Sequence, residues 1–336
     1  MTFQTRVFGD KSFNAIGYGG MGLSVIYGSV GTDEERLKVL DAVYESGCTF
    51  WDTADVYGDN EELLAKWFKK TGKRNDIFLA TKFGFAHGEP GRLVKADPEY
   101  VPEAFNKSLS RLGVDYVDIY YLHRADPTVP IEHTVAEMAK LVKAGKVKHL
   151  GLSEVSASTL RRAYAVHPIS AVQVEYSPFT LDIEDESIGL LKAARELGVK
   201  IVAYSPLGRG LITGRYKSPD DFEDGDFRKC IPRYSKENFP NILKVADGLE
   251  EIGDKYNATA GQIALGWLLA QGEDVIPIPG TTRLSNLKEN IEAGKIRLSP
   301  EDVQAVREVV DKANATQGDR YPEDYLNSLF VDTPLP

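Results

Sequence analysis

Residues 47–72 read GCTFWDTADVYGDNEELLAKWFKKTG and contain one complete strand-loop-helix unit. Residues 49–52 are strand formers that end in Asp52. Residues 60–70 carry a helical pattern that ends at Gly72. Tyr57 lies in the loop between them, and packing alone does not account for a buried strand that leads into a carboxylate and a phenol. The stretch therefore predicts a β/α repeat with a functional position at Tyr57.

The same strand-helix alternation recurs along the chain. Most of the predicted strands are short, continuous apolar runs, which are typical of buried parallel strands. They cover residues 15–17, 49–52, 77–82, 117–123, 147–152, 171–174, 199–204 and 275–278, and helical patterns follow them. Alternation favours an α/β fold, and the count of eight predicts a (β/α)8 TIM barrel.

The chain shows no linker or break in composition, so we expect residues 1–336 to form a single barrel domain. Residues 5–8 and 13–18, around Gly9-Asp10-Lys11, predict an N-terminal hairpin or lid. The long loop at about 207–240, after the seventh strand, is rich in Gly, Pro and charge and is expected to be a lid over the site. A helix and tail at about 299–336 end the chain.

Charge and cysteine content narrow the class of protein. Forty Lys and Arg residues against fifty Asp and Glu give a net charge of −10, which argues against nucleic acid and anionic membranes as partners. Two cysteines are too few for a disulfide framework and suggest a reducing compartment. The N-terminus lacks the apolar core of a signal peptide, so we expect a cytoplasmic protein. The sequence leaves open whether it is a monomer or a homo-oligomer.

Titratable side chains end three successive predicted strands. Asp52 ends the second, Lys82 the third and His123 the fourth, and Tyr57 follows Asp52 by five residues. Each residue alone is more commonly a cap, a solvated cation or a packed polar group. Barrel enzymes, however, place their active sites at the C-terminal ends of strands. The combination predicts an active site at this end of the barrel.

These residue types suit proton delivery to a carbonyl oxygen. A phenol has a pKa of about 10, and a nearby ammonium such as that of Lys82 is expected to lower it. Asp52 would hold Lys82, and His123 would orient the substrate oxygen. The hydride must come from a cofactor, because no side chain can supply one.

The loops after strands seven and eight offer the groups that a dinucleotide needs. Tyr204 presents a flat ring, and the following turn to Gly210 offers backbone N–H groups. Thr281, Thr282 and Arg283 precede a helix, where barrels frequently bind phosphate. An arginine there suits the 2′-phosphate of NADP.

A second glycine motif, Gly17-Tyr18-Gly19-Gly20-Met21-Gly22, matches the G-x-G-x-x-G pattern of dinucleotide-binding folds. Such a fingerprint must open directly into a helix, whereas here the helical pattern begins near Asp33. The motif therefore favours a loop. The histidines and cysteines show no metal-ligand spacing, and no metal is expected.

Several motifs together resemble the aldo-keto reductase family, from about Arg6 to about Asn290. They are Asp52-x-x-x-x-Tyr57, Lys82 in ATK, His123 in YLH, GLS at 151–153, Gln173, AYSPLG-x-G at 203–210 and IPGT-x-R at 278–283. Residues 47–52, 174–179 and 206–210 most resemble the branch of fungal YakC-like and plant auxin-induced, perakine-reductase-like proteins.

The resemblance implies reduction of aldehydes or ketones with NADPH, with Asp52, Tyr57, Lys82 and His123 as catalytic residues. It implies that Ser153 and Gln173 hold the carboxamide, that Tyr204 stacks on the nicotinamide, and that Asn286 and Asn290 face the adenine. Where many relatives have Asn after the serine, this chain has Glu154. The implied cofactor contacts are Gly20, Met21, Asp52, Ser153, Glu154, Gln173, Tyr204, Ser205, Pro206, Leu207, Gly208, Gly210, Ile278, Gly280, Thr281, Thr282, Arg283, Asn286 and Asn290.

The substrate is a small carbonyl compound that the sequence does not specify. Trp51, Tyr27 and Phe85 could line an apolar pocket for aromatic aldehydes, and each suits a packed core equally well. Two alternatives stay open: a pyridoxal-type reductase with the same chemistry, and a nucleotide-binding accessory or sensor subunit with little turnover.

Overall fold

The computed structural model describes residues 2–27, 29–86 and 92–336, which form ten β-strands and eleven α-helices. The strands are β1 Thr5–Phe8, β2 Lys11–Asn14, β3 Tyr18–Gly19, β4 Phe50–Asp52, β5 Phe78–Phe83, β6 Val117–Leu122, β7 Val147–Ser153, β8 Ile169–Glu175, β9 Lys200–Tyr204 and β10 Val275–Pro277. The helices are α1 Asp33–Glu45, α2 Asn60–Thr71, α3 Tyr100–Leu112, α4 Ile131–Lys143, α5 Ala157–Val166, α6 Leu190–Glu196, α7 Phe239–Asp254, α8 Ala260–Ala270, α9 Leu284–Glu292, α10 Pro300–Ala313 and α11 Glu323–Leu326.

Strands β3 to β10 form one parallel sheet in chain order. The sheet closes on itself, because Gly17 N donates to Pro277 O at 2.9 Å and Gly19 N donates to Pro279 O at 3.3 Å. The prediction of a (β/α)8 TIM barrel with an N-terminal hairpin is confirmed. The first barrel strand is Tyr18–Gly19 rather than 15–17, since Ala15 N still bonds to Gln4 O beside the hairpin.

Two glycines permit the close approach at the closure. A β-carbon on Gly280 would lie 2.5 Å from the carbonyl oxygen of Gly19, and one on Gly19 would lie 2.8 Å from that of Ile278. Both clashes would be with backbone atoms, which cannot move aside as a flexible side chain could. The glycines of two of the sequence motifs therefore meet at the barrel seam.

The hairpin β1–β2 covers the N-terminal end of the barrel. Phe8 and Phe13 pack on Phe50 and Phe78, with ring centroids 5.0 to 6.5 Å apart. These rings continue the buried interior that also contains Tyr121 and Ile276. The hairpin thus plugs the end opposite to the candidate site and is not a lid over it.

The larger core lies between the strands and the surrounding helices. Trp51 belongs to it, because its ring packs against Trp67 at 4.7 Å and Phe68 at 6.3 Å on α2. Of the two possibilities that the sequence left open for Trp51, the structure shows the packed core. Its neighbour Asp52 points to the other face of the strand, as the two-residue period of a β-strand requires.

Two segments cross the C-terminal end of the barrel. The first, residues 205–238 between β9 and α7, contains the short 3-10 helices Gly208–Thr213, Pro219–Asp221, Phe227–Cys230 and Pro232–Tyr234. The second, residues 314–336, follows α10 and pairs Val331 with Val155, just after β7. Within the described ranges, no helix is long and apolar enough to span a bilayer.

We predict that Gly280→Ala destabilises the protein by about 1–3 kcal/mol, because the new methyl group overpacks the seam. The free energy of unfolding from urea titration measures this. Gly22→Ala is the control, since its β-carbon would meet Tyr27 at an ordinary 3.7 Å. Equal stability of the two variants would contradict the assignment of Gly280 to the seam.

Candidate active site

The register of the parallel strands brings the predicted residues to one end of the barrel. Asp52 pairs with Gly19, Lys82 with Tyr121, and Ser153 with Gln173. His123 follows the last residue of β6, and its backbone N–H donates to Phe83 O at 2.6 Å. Neighbouring strands therefore deliver these side chains to one layer, as the barrel geometry predicted.

Asp52 and Lys82 form an ion pair that is almost completely buried, with side-chain exposures of 3% and 0%. Lys82 Nζ donates to Asp52 Oδ1 and, at 2.9 Å, to Thr53 O. Gln173 Nε2 donates to the second carboxylate oxygen at 2.8 Å. Burial lowers the pKa of Lys82 and raises that of Asp52, and each charge opposes the effect on its partner. The pair holds the lysine ammonium in one place.

Tyr57 is brought to this ammonium by its loop. Asp55 N donates to Lys82 O at 3.1 Å, and Tyr57 N donates to Ala54 O at 3.1 Å, which closes a turn. The Tyr57 hydroxyl then lies 3.4 Å from Lys82 Nζ. The predicted contact between ammonium and phenol is present.

The pKa of Tyr57 differs from the sequence-based expectation. It is raised well above its ordinary value, first by burial and then by the charge of Asp52, while Arg124 acts in the opposite direction. Burial and the carboxylate of Asp52, which lies against the ammonium, outweigh the lowering that was expected from Lys82. The phenol therefore stays protonated at neutral pH.

His123 completes the group that the sequence singled out. Its ring meets that of Tyr57 edge-on at 5.7 Å and that of Phe85 edge-on at 4.8 Å. Burial and the cations of Lys82 and Arg124 hold the pKa of His123 well below its usual range. The imidazole is therefore neutral, and it can donate one N–H to an oxygen.

Residues implied to hold a nicotinamide lie at the next strand ends. Ser153 is buried at the end of β7 and accepts from Arg124 Nη1 at 3.2 Å. Gln173, on β8, contacts Asp52. Tyr204 ends β9 with a half-buried ring, and its hydroxyl donates to Glu154 Oε1 at 2.8 Å. These groups surround the same end of the barrel as Tyr57.

Glu154 is engaged by the C-terminal segment. Arg320 Nη2 donates to Glu154 Oε2 at 2.9 Å, and Nη1 donates to Glu154 Oε1 at 3.2 Å and to Glu175 Oε2 at 3.4 Å. Val331 N donates to the backbone oxygen of Glu154 at 2.9 Å. Both carboxylate oxygens of Glu154 thus have protein partners, among them a buried arginine from the C-terminal segment.

The remaining implied cofactor contacts lie in three loops. Gly20 donates its N–H to Asp52 O at 2.8 Å, and Met21 opens a short 3-10 helix beside it. The turn after β9 contains Ser205, Pro206, Leu207, Gly208 and Gly210. The loop after β10 contains Ile278, Gly280, Thr281, Thr282 and Arg283, and α9 carries Asn286 and the buried Asn290. All three loops lie at the C-terminal ends of strands.

The loop after β10 fits a phosphate group. Helix α9 begins without a side-chain cap, so its first backbone N–H groups are free to bind an anion. Thr282 and Arg283 are exposed beside it. Among the described residues, no group of three or more His, Cys, Asp or Glu side chains could hold a metal ion.

The sequence analysis missed three residues of this site. Arg124 is buried beside His123, and Arg320 and Tyr321 come from the tail, with the Tyr321 hydroxyl 3.1 Å from that of Tyr204. The position of Arg124 directly after His123 was a usable signal. Arg320 is 166 residues from Glu154, and no sequence pattern predicts their contact.

We predict that His123 makes stability depend on pH. Its pKa is about 6.5 when unfolded and far lower when folded, so the unfolded chain binds a proton first as pH falls. The free energy of unfolding should therefore drop by about 1.4 kcal/mol more between pH 7.5 and 5.5 in the unmodified protein than in His123→Gln. Urea titrations at both pH values measure this difference.

His133→Gln, which removes an exposed histidine on α4, is the control. Its loss of stability between the two pH values should match that of the unmodified protein. The same loss in His123→Gln would contradict a neutral buried imidazole.

Comparison with known proteins agrees with this geometry. The family model described as the aldo/keto reductase family matches residues 15–311. Aldo-keto reductase str7 of Strobilurus tenacellus is 56% identical over 99% of both chains. Aldo-keto reductase yakc of Schizosaccharomyces pombe, whose name includes NADP(+), is 50% identical over 99% of both. Probable aldo-keto reductase 1 of Glycine max is 43% identical over 95% of this chain and 92% of its own.

Two solved structures show the same architecture. Glycerol dehydrogenase AKR11B4 from Gluconobacter oxydans has a TM-score of 0.84 and 26% identity, over 95% of this chain and 98% of that one. The thermostable aldo-keto reductase Tm1743 has a TM-score of 0.73 and 30% identity, over 92% and 100%. The resemblance of the sequence motifs is thereby confirmed, and the chain belongs to the aldo/keto reductase family.

Proposed function

We propose that this protein reduces an aldehyde or ketone to the alcohol with NADPH, and that Tyr57 donates the proton. The observation that carries the proposal is the contact of a protonated phenol with a buried lysine ammonium, 3.4 Å away, beside a neutral histidine. NADP is the cofactor, as the name of the yakc relative and the family indicate.

The reduced nicotinamide, when bound, supplies the hydride that adds to the carbonyl carbon. Tyr57 loses its proton to the carbonyl oxygen, which becomes a hydroxyl group. The raised pKa of Tyr57 keeps the proton in place until then, and an alkoxide is a stronger base than a phenolate. Lys82 lies where it stabilises the phenolate that forms.

His123 and Asp52 support this step in different ways. A neutral His123 donates a hydrogen bond to the carbonyl oxygen and so fixes its direction toward Tyr57. Asp52 holds Lys82 in place, because its carboxylate accepts a hydrogen bond from the ammonium. Gln173 in turn orients Asp52.

The cofactor is expected to lie across the ends of β7 to β10. Ser153 and Gln173 would hold the carboxamide, and the Tyr204 ring would stack on the nicotinamide. Arg283 and the start of α9 would bind the 2′-phosphate.

Tyr57→Phe should lower kcat for NADPH-dependent reduction of 4-nitrobenzaldehyde by at least about a hundredfold, because the ring stays but the proton is lost. The absorbance of NADPH at 340 nm follows the reaction. NADPH binding, followed by fluorescence, should be nearly unchanged.

Tyr44→Phe is the matched control, since its hydroxyl bonds to Asp76 far from the strand ends. Near-full activity of Tyr57→Phe would overturn the assignment of the acid. Negligible turnover of the unmodified protein on a broad carbonyl panel would favour the accessory or sensor alternative.

Arg283→Ala should weaken NADPH binding by on the order of tenfold and NADH binding far less, because only NADPH carries the 2′-phosphate. Fluorescence titration gives both dissociation constants. Lys288→Ala removes an exposed cation from the same helix and should change neither. An equal effect of Arg283→Ala on both cofactors would contradict the phosphate assignment.

A further inference from the structure

Arg124 is a buried cation at the strand ends to which the proposed chemistry assigns no contact with substrate or cofactor. The residue is 6% exposed and follows His123 directly. Its Nη1 donates to His123 O at 2.7 Å and to Ser153 Oγ at 3.2 Å. The guanidinium is thus fixed in position by neutral acceptors.

The charge of Arg124 has no ion-pair partner in the described ranges of the chain. Its Nε is enclosed without a hydrogen-bond acceptor, and Nη2 makes no hydrogen bond there. Arg228 and Arg320, which are also buried, are paired with carboxylates: Arg228 with Asp226, and Arg320 with Glu154 and Glu175. The buried Arg6 and Arg233 bond to neutral oxygens, but the Nε of each has an acceptor, as that of Arg124 does not. Burying an unpaired charge is costly, and an anion bound to Arg124 would offset that cost.

Glu154 does not fill this role. Its carboxylate influences Arg124 through space, but its oxygens already accept from Arg320 and from the hydroxyl of Tyr204. Arg320 is thus matched by carboxylates. In Arg124, Nη1 is bonded to neutral acceptors and Nε is enclosed, so Nη2 is the nitrogen left for a ligand.

Arg124 also faces the same space as the catalytic candidates. The ring of Phe85 lies 4.8 Å from that of His123 and 5.8 Å from the guanidinium carbon of Arg124. Tyr57, Tyr204 and Tyr321 lie close enough to Arg124 to influence its pKa electrostatically. An anion on Arg124 would lie near a carbonyl held by His123 and Tyr57.

We propose that Arg124 forms an anion subsite that selects carbonyl substrates with a carboxylate a few bonds from the reacting carbon, such as short aldehyde acids. The inference rests on the proposed function, because it names the substrate class of that same site. A guanidinium suits it, since a charge-assisted hydrogen bond from Nη2 to a carboxylate is stronger than one between neutral groups.

The test compares 4-oxobutanoate with its methyl ester, which has the same aldehyde and no charge. The unmodified protein should have the higher kcat/KM for the acid. Arg124→Met should lower kcat/KM for the acid by about tenfold or more relative to the ester, since a charge-assisted hydrogen bond is lost. Arg124→Lys should keep part of the preference.

Arg161→Met, which removes an exposed cation paired with Glu196 on the outer helices, is the control and should keep the ratio of acid to ester. NADPH dissociation constants from fluorescence should be unchanged in Arg124→Met. Weaker NADPH binding with an unchanged ratio would overturn the proposal and assign Arg124 to the carboxamide beside Ser153.

A second measurement needs no variant. Butanoate should compete with the methyl ester more strongly than butanamide does, and equal competition would overturn the subsite. The ester could be reduced in a Tyr57-dependent way while Arg124→Met leaves the ratio of kcat/KM for acid and ester unchanged. This result would contradict the subsite and support the proposed function. If the unmodified protein reduced 4-nitrobenzaldehyde but neither of these two compounds, the subsite would be overturned and the proposed function would stand.

Discussion

The buried ion pair between Asp52 and Lys82 is the interaction on which the rest of the site depends. Taking two charges out of water is costly, and removing one partner of such a pair typically costs about 3–5 kcal/mol. The barrel compensates with hydrogen bonds from Lys82 to Thr53 O and from Gln173 to Asp52. An ammonium fixed in this way can stabilise a phenolate at Tyr57 without any rearrangement during the reaction.

The barrel geometry makes this pair possible. Parallel pairing in chain order places the ends of β4, β5 and β6 side by side, so three residues far apart in sequence meet in one layer. This proximity could be predicted from the sequence, because the end of each strand can be recognised from nearby residues. In a barrel, the C-terminal ends of the strands then lie side by side around one opening. The boundaries of the strands were predicted less accurately than their order. The first barrel strand was predicted at residues 15–17, but β3 begins at Tyr18, since Ala15 bonds to Gln4 beside the hairpin.

Features that depend on contacts distant in sequence could not be predicted in the same way. The raised pKa of Tyr57 follows from burial and from the charge of Asp52. The types of neighbouring residues do not reveal the relative sizes of these two effects. The bond of Arg320 to Glu154 joins the tail to the end of β7, and no periodicity links the two. Glu154, which departs from the motif of the family, therefore belongs to a buried charge network that also includes the hydroxyl of Tyr204.

The central claim is that Asp52 and Lys82 act on the reaction as one unit, in which the carboxylate holds the ammonium in place. A double-mutant cycle with Asp52→Asn, Lys82→Met and the double variant tests it directly, with single-turnover rates of aldehyde reduction at saturating NADPH. The account predicts strong non-additivity, with the double variant no slower than Lys82→Met alone. Rate losses that multiply independently would contradict it.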